Sequence, residues 1–476
     1  MEKLIGREKE KAILEEALTS NSSEMVAVIG RRRVGKTFLI RSVYNGQIDL
    51  EFTGVQNAEL EEQLDNFYFS LQQFSDKKLE APENWLRAFH LLITVLGKQK
   101  RTEKKLVLFF DELPWLATRR SGFLRAFGFF WNNWASKNNI VVVICGSAAS
   151  WMIQKIVKDK GGLHNRITRR IYLKPFNLSE TETFLKSKQI NLNHYQILLV
   201  YMIMGGIPHY LKELERGKSA VQNIDEICFS EEGLLRDEFN NLYAALFKKS
   251  DNHVAIIRAL AKKRKGLTRA EMIKQSNLSD GGGFTQTLNE LVNSGFVSSY
   301  YPFGKKRKTM LYRLTDEYSL FYLQFIEPNR RNIKGAWKAL SQSSVFKSWS
   351  GYAFESVCLK HIEQIKNALQ IGGIYSEHSG FIFQGDDYLQ GIQIDLLIDR
   401  NDQVINICEI KFYQTTYSIT KSYAEQFRQK SSIFREVTKT KKQIFLTMIT
   451  TFGLLENKHS QGLIDNELTM DILFES

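Results

Sequence analysis

At 476 residues the chain is longer than one hydrophobic core ordinarily organises, so roughly two to four domains are expected. Apolar residues make up 43%, no apolar run approaches the ~20 residues of a membrane span, and the first residues lack a signal peptide's apolar core, which excludes a membrane partner and predicts a cytoplasmic protein. The formal net charge is +13, and residues 251–340 carry sixteen Lys and Arg against seven Asp and Glu, a concentration that points to a polyanionic partner, nucleic acid first.

Near the N-terminus, Ile13, Leu14, Ala17 and Leu18 fall at helical spacing. Residues 26–29 form a β-branched run that predicts a strand. It passes into Gly30-Arg31-Arg32-Arg33-Val34-Gly35-Lys36-Thr37, which satisfies G-x-x-x-x-G-K-[ST]. In such a loop backbone N–H groups wrap phosphates, the lysine reaches the terminal phosphates and the hydroxyl binds Mg²⁺. The helix that follows, beginning with Phe38, turns its positive end toward the same anion. Gly30 to Phe38 are therefore the candidate nucleotide-binding residues, with ATP and Mg²⁺ as the expected ligands.

Residues 106–110 make a continuous apolar run, as a strand buried on both faces does, and end in Asp111-Glu112. Ligands of open α/β sheets sit at the carboxyl ends of strands. Asp111 is thus placed to hold Mg²⁺ with Thr37, and Glu112 to polarise an attacking water. A second buried-type strand, residues 140–145, ends in Gly146-Ser147. Arg166, Arg169 and Arg170 follow before an extended segment, and Arg166 is the candidate for meeting transition-state charge, in cis or from a neighbouring subunit.

Helical sequence from residue 179 to about 245 is interrupted by Gly205-Gly206-Ile207-Pro208, which breaks a helix. Beyond it, residues 253–261 are amphipathic, Thr268 and Glu271 form a capping box, and residues 283–295 make a third helix ending at a glycine. A hairpin over residues 297–314 completes a pattern that resembles a winged helix. In nucleic-acid-binding versions the third helix enters the major groove and the wing tip meets phosphate. Thr285, Gln286, Thr287 and Asn289 are the candidate base readers, and the clusters 262–265 and 305–308 the candidate phosphate contacts. Without an arginine on the third helix, shape and phosphate contacts outweigh sequence-specific readout. Intramolecular packing is the alternative use of such a module.

From about residue 345 a helix carrying Glu355 precedes two alternating strands, residues 391–398 and 404–412. Asp395, followed by Glu409-Ile410-Lys411, resembles the PD-(D/E)xK nuclease core, with Ile394 where the motif's proline stands. Period-two spacing puts Glu409 and Lys411 on one face. Asp395 and Glu409 would bind Mg²⁺ through oxygen, and Lys411 would steady the attacking water. Lys421, Gln426 and Lys430 on the next helix are candidates to line a phosphate path.

Taken in order, GRRRVGKT, LVLFFDELPWL, ICGSA, NRITRRIYLKPF and MGGIPHYL resemble the archaeal-type ATPases of the STAND/AAA+-like P-loop division over about the first 245 residues. The resemblance implies a sensor role for Ser147, a position near the nucleotide base for Pro208, and a C-terminal nuclease-like domain. The family's Tyr-Gly-Arg is replaced by His164-Asn165-Arg166. The expected fold is α/β: a P-loop NTPase parallel sheet (1–178) with a helical lid (179–248), then a winged helix (249–335) and a small α/β nuclease-like domain (336–476). The expected function is a Mg²⁺-dependent ATPase whose nucleotide state controls nucleic-acid binding and cleavage, in defence or mobile-element biology, with DNA ahead of RNA. The alternative is a STAND-type signalling switch whose nuclease-like domain is inactive and binds a protein partner; an oligomer is compatible with either. The four cysteines, far apart and without a C-x-x-C pair, are expected as buried free thiols.

Overall fold

The apolar run before the glycine-bounded loop forms β1 (Glu24–Ile29), buried at every residue, and the loop delivers the chain into α2 (Lys36–Val43), after α1 (Glu8–Thr19). The computed structural model describes residues 3–98, 104–118, 120–158, 161–247, 249–305, 309–329 and 335–475. Two compact units divide the chain: Met1–Pro175 with Leu246–Lys248, and Phe176–Ala245 with Lys249–Ser476.

In the first unit, β1 joins β2 (Leu50–Thr53), β3 (Leu106–Asp111), β4 (Ile140–Gly146) and β5 (Arg169–Tyr172) in an all-parallel sheet of order β2-β3-β4-β1-β5. Parallel strands need crossovers, and helices supply them: α3 (Leu60–Phe74) and α4 (Trp85–Gly97) between β2 and β3, α5 (Leu113–Leu116) and α6 (Phe123–Asn133) between β3 and β4. An aromatic core fixes one face. Phe52 stacks on Phe67 at 4.2 Å and Trp85 meets Phe123 edge-on at 4.8 Å. Such pairs are worth about 1 kcal/mol each beyond their buried area, and they pack β2, α3, α4 and α6 together on that face.

The second unit begins with α7 (Leu178–Ser187), opened by an Asn177–Glu180 capping box, and α8 (His194–Met204). The predicted break follows: Gly205 takes φ 62° and Pro208 opens α9 (Pro208–Leu211). Gly206 is required by close approach, because a Cβ there would stand 1.8 Å from the Phe176 carbonyl oxygen. Helices α10 (Ala220–Phe229) and α11 (Glu238–Leu246) follow.

Next come α12 (Ser250–Ala261), α13 (Arg269–Ser276) and α14 (Gly282–Asn293), then the antiparallel hairpin of β6 (Val297–Tyr300) and β7 (Leu311–Leu314). Leu267 bridges to Tyr312, adding a short third segment beside the hairpin. The Thr268–Glu271 capping box is formed. Two expectations for this region need correction. Thr287 is buried and its hydroxyl bonds the Gly283 carbonyl, so it faces the core rather than a ligand. Arg264 is not a free surface cation: its guanidinium lies 4.3 Å from the Tyr352 ring centre and donates to the Ser348 carbonyl. Of the basic tip, Lys306, Arg307 and Lys308 lie outside the described residues.

The C-terminal part contains α15 (Ser344–Lys360), then β8 (Ser376–Phe383), β9 (Ile392–Arg400) and β10 (Val404–Lys411). After β11 (Tyr417–Ser418) and α16 (Lys421–Thr438) come β12 (Gln443–Thr450), β13 (Leu454–Leu455) and β14 (Asn466–Thr469). The sheet order is β14-β12-β10-β9-β8, antiparallel from β8 to β10 and parallel from β10 to β14, with α16 as the crossover between β10 and β12. β11 and β13 pair separately. All four cysteines are buried free thiols. Among the described residues no helix is long and apolar enough to cross a membrane.

Candidate functional site

In the first unit the loop 30–35 leaves β1 and enters α2 through Gly35 at φ 89°, a conformation that costs glycine nothing and other residues about 1 kcal/mol or more. Lys36 and Thr37 thereby begin the helix, with its unpaired N–H groups facing the loop. The Lys36 ammonium is buried and donates to the Gly30 and Arg31 carbonyls, both at 3.0 Å, and to Ser147 Oγ at 3.2 Å. Burial holds its pKa below the ordinary lysine value, and Cys145, Glu112 and Asp111 oppose that shift. Val34 and Arg31 are buried in the loop, Arg32 and Arg33 are half-buried, and Phe38 is exposed.

Thr37 Oγ1 donates to Asp111 Oδ2 at 2.9 Å, joining α2 to the end of β3. Two hard oxygen donors side by side suit Mg²⁺. The other Asp111 oxygen accepts from the Glu112 N–H at 2.9 Å and from the Cys145 thiol. Sequence predicts Cys145 only as a buried free thiol; its place near the end of a central strand, beside β3, is the available signal for this contact. Glu112 takes φ 47°, and its carboxylate accepts the Ser147 N–H at 2.9 Å and the Ser147 hydroxyl. Ser147 therefore touches both Lys36 and Glu112. Arg166 is exposed on the loop before β5, while Arg169 pairs with Glu16 at 2.7 Å. Pro208 belongs to the second unit, at the start of α9.

A second cluster lies within the second unit. Glu355 projects from α15, Asp395 from β9, and Glu409 and Lys411 from β10. The β9–β10 register pairs Leu396 with Cys408, and one step further sets Asp395 opposite Glu409. Glu409 is 1% exposed and accepts from Lys430 Nζ at 2.6 Å, Tyr423 Oη at 3.1 Å and Lys411 Nζ at 3.4 Å. Lys430 thus pairs with a buried carboxylate rather than lining a phosphate path, whereas Lys421 and Gln426 are exposed on α16. Asp395 is pushed up to about 6 by burial and then by Glu409, and Glu355 up to about 7 by burial and then by Asp395.

Arg313, from β7, stands 3.9 Å from Glu355 and opposes that rise. Arg313 and Tyr423 were not singled out from sequence. Tyr423 sits one helical face with Lys430, seven residues on, which was its only signal; nothing in sequence joins Arg313 to Glu355. Among the described residues no three His, Cys, Asp or Glu side chains group closely enough to hold a metal ion. Asp395 and Glu409 would hold a Mg²⁺ ion through their oxygens, and Lys430, 2.6 Å from Glu409, would compete with it there.

Residues 4–214 match the family described as an ATPase domain predominantly from Archaea. A curated relative, an uncharacterized protein of Methanocaldococcus jannaschii, is 23% identical over 431 residues, covering 89% of this chain and 91% of that protein. Among solved structures, the Walker-type ATPase of Pyrococcus abyssi aligns at 17% identity with a TM-score of 0.49, over 68% of this chain and 96% of that one. The Aeropyrum pernix ORC2 protein, solved as ADPNP and ADP complexes, aligns at 16% identity with a TM-score of 0.40, over 71% of this chain and 94% of that one. The matched family spans the glycine-bounded loop, Asp111, Glu112 and Ser147, and the chain accordingly carries an ATPase domain of the archaeal type.

Proposed function

We propose that the chain is a Mg²⁺-dependent ATPase whose nucleotide state controls cleavage of nucleic acid at the cluster of Glu355, Asp395, Glu409 and Lys411. The observation that carries the first half is the Thr37–Asp111 hydrogen bond beside Lys36, which brings phosphate and metal donors together at the carboxyl ends of β1 and β3. Thr37 and Asp111 would hold Mg²⁺, which when bound neutralises charge on the phosphate oxygens. Lys36 exchanges its loop carbonyls for phosphate oxygens, Glu112 accepts the proton of the attacking water once released by Ser147, and Ser147 orients that water. Arg166 is the proposed stabiliser of transition-state charge.

The second half is supported by the approach of Glu355 from α15 and Lys430 from α16 to Asp395, Glu409 and Lys411 of β9 and β10. Lys411 steadies charge developing on the scissile phosphate, and the segment 249–335 acts as a winged helix that binds DNA through its exposed lysines. The measurement is Mg²⁺-dependent cutting of DNA and RNA by the full chain with ATP, ADP or neither. Asp395→Ala and Lys411→Ala abolish it, and Glu112→Gln does not. If the protein cuts no substrate in any nucleotide state, the nuclease reading is wrong.

A second reading is favoured by the closure of Glu409 on Lys430, Lys411 and Tyr423: a switch whose C-terminal domain binds a partner without cutting. In that case ATP turnover persists and no variant of the cluster changes any cleavage signal.

A further inference from the structure

The hairpin and the basic loop beside it are built onto the elements that carry the carboxylate cluster. Arg264 lies over the Tyr352 ring at 4.3 Å and donates to Ser348 O at 3.2 Å, both on α15. Tyr352 and Glu355 are three residues apart on that helix, hence on one face. At the hairpin's other end the Phe303 N–H donates to Gly380 O in β8 at 2.9 Å, and the Phe303 ring packs 5.5 Å from Phe434 of α16. Between these anchors, β7 points Arg313 at Glu355, with Nη1 3.9 Å from Oε1 and both side chains less than a fifth exposed (17% and 19%). The Tyr300 ring, from the paired strand, lies 6.0 Å from the guanidinium.

The charge count gives this contact its meaning. Glu355, Asp395 and Glu409 are three partly or fully buried carboxylates, and Lys411 and Lys430 both reach Glu409. Arg313 is the cation at Glu355, and it comes from outside the α/β sheet that carries Asp395 and Glu409. A buried carboxylate next to two others is strongly repelled unless a cation stands against it, so removing that cation leaves the remaining charge uncompensated. The guanidinium Nε is buried without a hydrogen-bond partner among the described residues, so Arg313 is held by position more than by a network of its own.

We propose that Arg313 is a positioning residue for Glu355, so that the candidate cleavage site is completed by the hairpin rather than by the C-terminal sheet alone. The inference rests on the cleavage reading above. Arg313 touches no reacting atom; it fixes the Glu355 carboxylate and offsets its charge. The segment 249–335 then serves the cluster structurally as well as binding nucleic acid.

The test uses the full chain, a 5′-labelled oligonucleotide cut in Mg²⁺, and the variants Arg313→Met, Arg313→Lys, Glu355→Gln and the pair Arg313→Met/Glu355→Gln, each with its unfolding midpoint recorded. Arg313→Met is expected to lower kcat about tenfold or more with KM changed less than about twofold, and Arg313→Lys to recover most of the loss. In the Glu355→Gln background Arg313→Met has no further effect, because the two act as one unit. Wild-type kcat in Arg313→Met, or losses that simply multiply in the double variant, overturn the proposal. Asp395→Ala on the same substrate separates the two failures: if it cuts like wild type, or wild type does not cut, the cleavage reading falls and takes this inference with it. If Asp395→Ala is dead while Arg313→Met is unimpaired, only the positioning role falls.

Discussion

The Thr37 hydroxyl donates to Asp111 Oδ2 at 2.9 Å across 74 residues of sequence, tying the first turn of α2 to the end of β3. Neither residue reaches the other without the sheet, since β4 stands between β1 and β3 in the strand order. The pair predicts a split between binding and turnover. Thr37→Ala and Asp111→Asn should keep measurable ATP binding by calorimetry in EDTA and lose the Mg²⁺-dependent part of it, with turnover down by about a hundredfold. Lys36→Ala should lose ATP binding with or without Mg²⁺. Tight nucleotide binding by Lys36→Ala would remove the loop from the site.

Glu112 and Ser147 form a second testable pair. Glu112→Gln should bind ATP normally and hydrolyse it about 10²–10⁴-fold more slowly, the range a general base contributes. Ser147→Ala removes one of the three Lys36 acceptors and the hydroxyl on Glu112. It should slow turnover by about tenfold while leaving the affinity for ATP nearly unchanged, measured as single-turnover hydrolysis against equilibrium binding.

Much of this first site was legible because its signals are local. The glycine-lysine-threonine loop, the apolar run into Asp111-Glu112 and the run into Ser147 each announce a strand end by composition, and the sheet gathers those ends. The Gly205-Gly206-Ile207-Pro208 break was legible for the same reason. What sequence could not supply was pairing across distance. Cys145 on Asp111, Tyr423 on Glu409 and Arg313 on Glu355 depend on tertiary approach with no periodic or motif signature. Thr287 misled because helix α14 was assigned a ligand face without knowing which side its neighbours cover.

Gly206 offers a stability test independent of any activity. A methyl group there would stand 1.8 Å from the Phe176 carbonyl oxygen and 2.6 Å from its carbon, so backbone rather than a flexible side chain must move. The Phe176 N–H also donates to Gly206 O at 2.7 Å. Gly206→Ala should destabilise the protein by about 2 kcal/mol or more, the scale of overpacking, read as a lower denaturant midpoint. Gly281→Ala is not a fair control, because φ 144° there is itself unfavourable to alanine. Gly97→Ala, with open space around the Cβ, is, and should leave the midpoint nearly unchanged.

The raised Glu355 carboxyl sets a pH dependence whose sign can be worked out. Burial and Asp395 lift it from an ordinary 4.5 to about 7 in the folded protein. The folded state therefore holds the proton more tightly than the unfolded state, and stability falls as pH rises from about 4.5 to about 7. Glu355→Gln cannot lose that proton. It should match wild type near pH 4 and exceed it by about 3 kcal/mol at pH 8, from a shift worth about 1.4 kcal/mol per unit. Unfolding midpoints across pH check this; a wild-type advantage at pH 8 contradicts it. Asp395, raised to about 6, should give Asp395→Asn a smaller advantage of the same sign.

Lys430 and Glu409 make the last prediction, because the pair is asymmetric. Glu409 is 1% exposed and the Lys430 ammonium is 2.6 Å from it. Lys430→Met leaves a buried carboxylate with the 3.4 Å contact to Lys411 and the Tyr423 hydroxyl alone. Breaking a buried pair from one side costs about 3–5 kcal/mol, since the remaining charge stays desolvated, so this variant should be strongly destabilised at neutral pH. Lys430→Met/Glu409→Gln removes both charges and should recover most of the loss, because Gln still accepts from Tyr423 and Lys411 while carrying no charge. If metal binding at Asp395 and Glu409 requires Lys430 to leave, Mn²⁺ in millimolar amounts should raise the unfolding midpoint of Lys430→Met more than that of wild type. An equal Mn²⁺ effect on both proteins would show that Lys430 does not compete for that site.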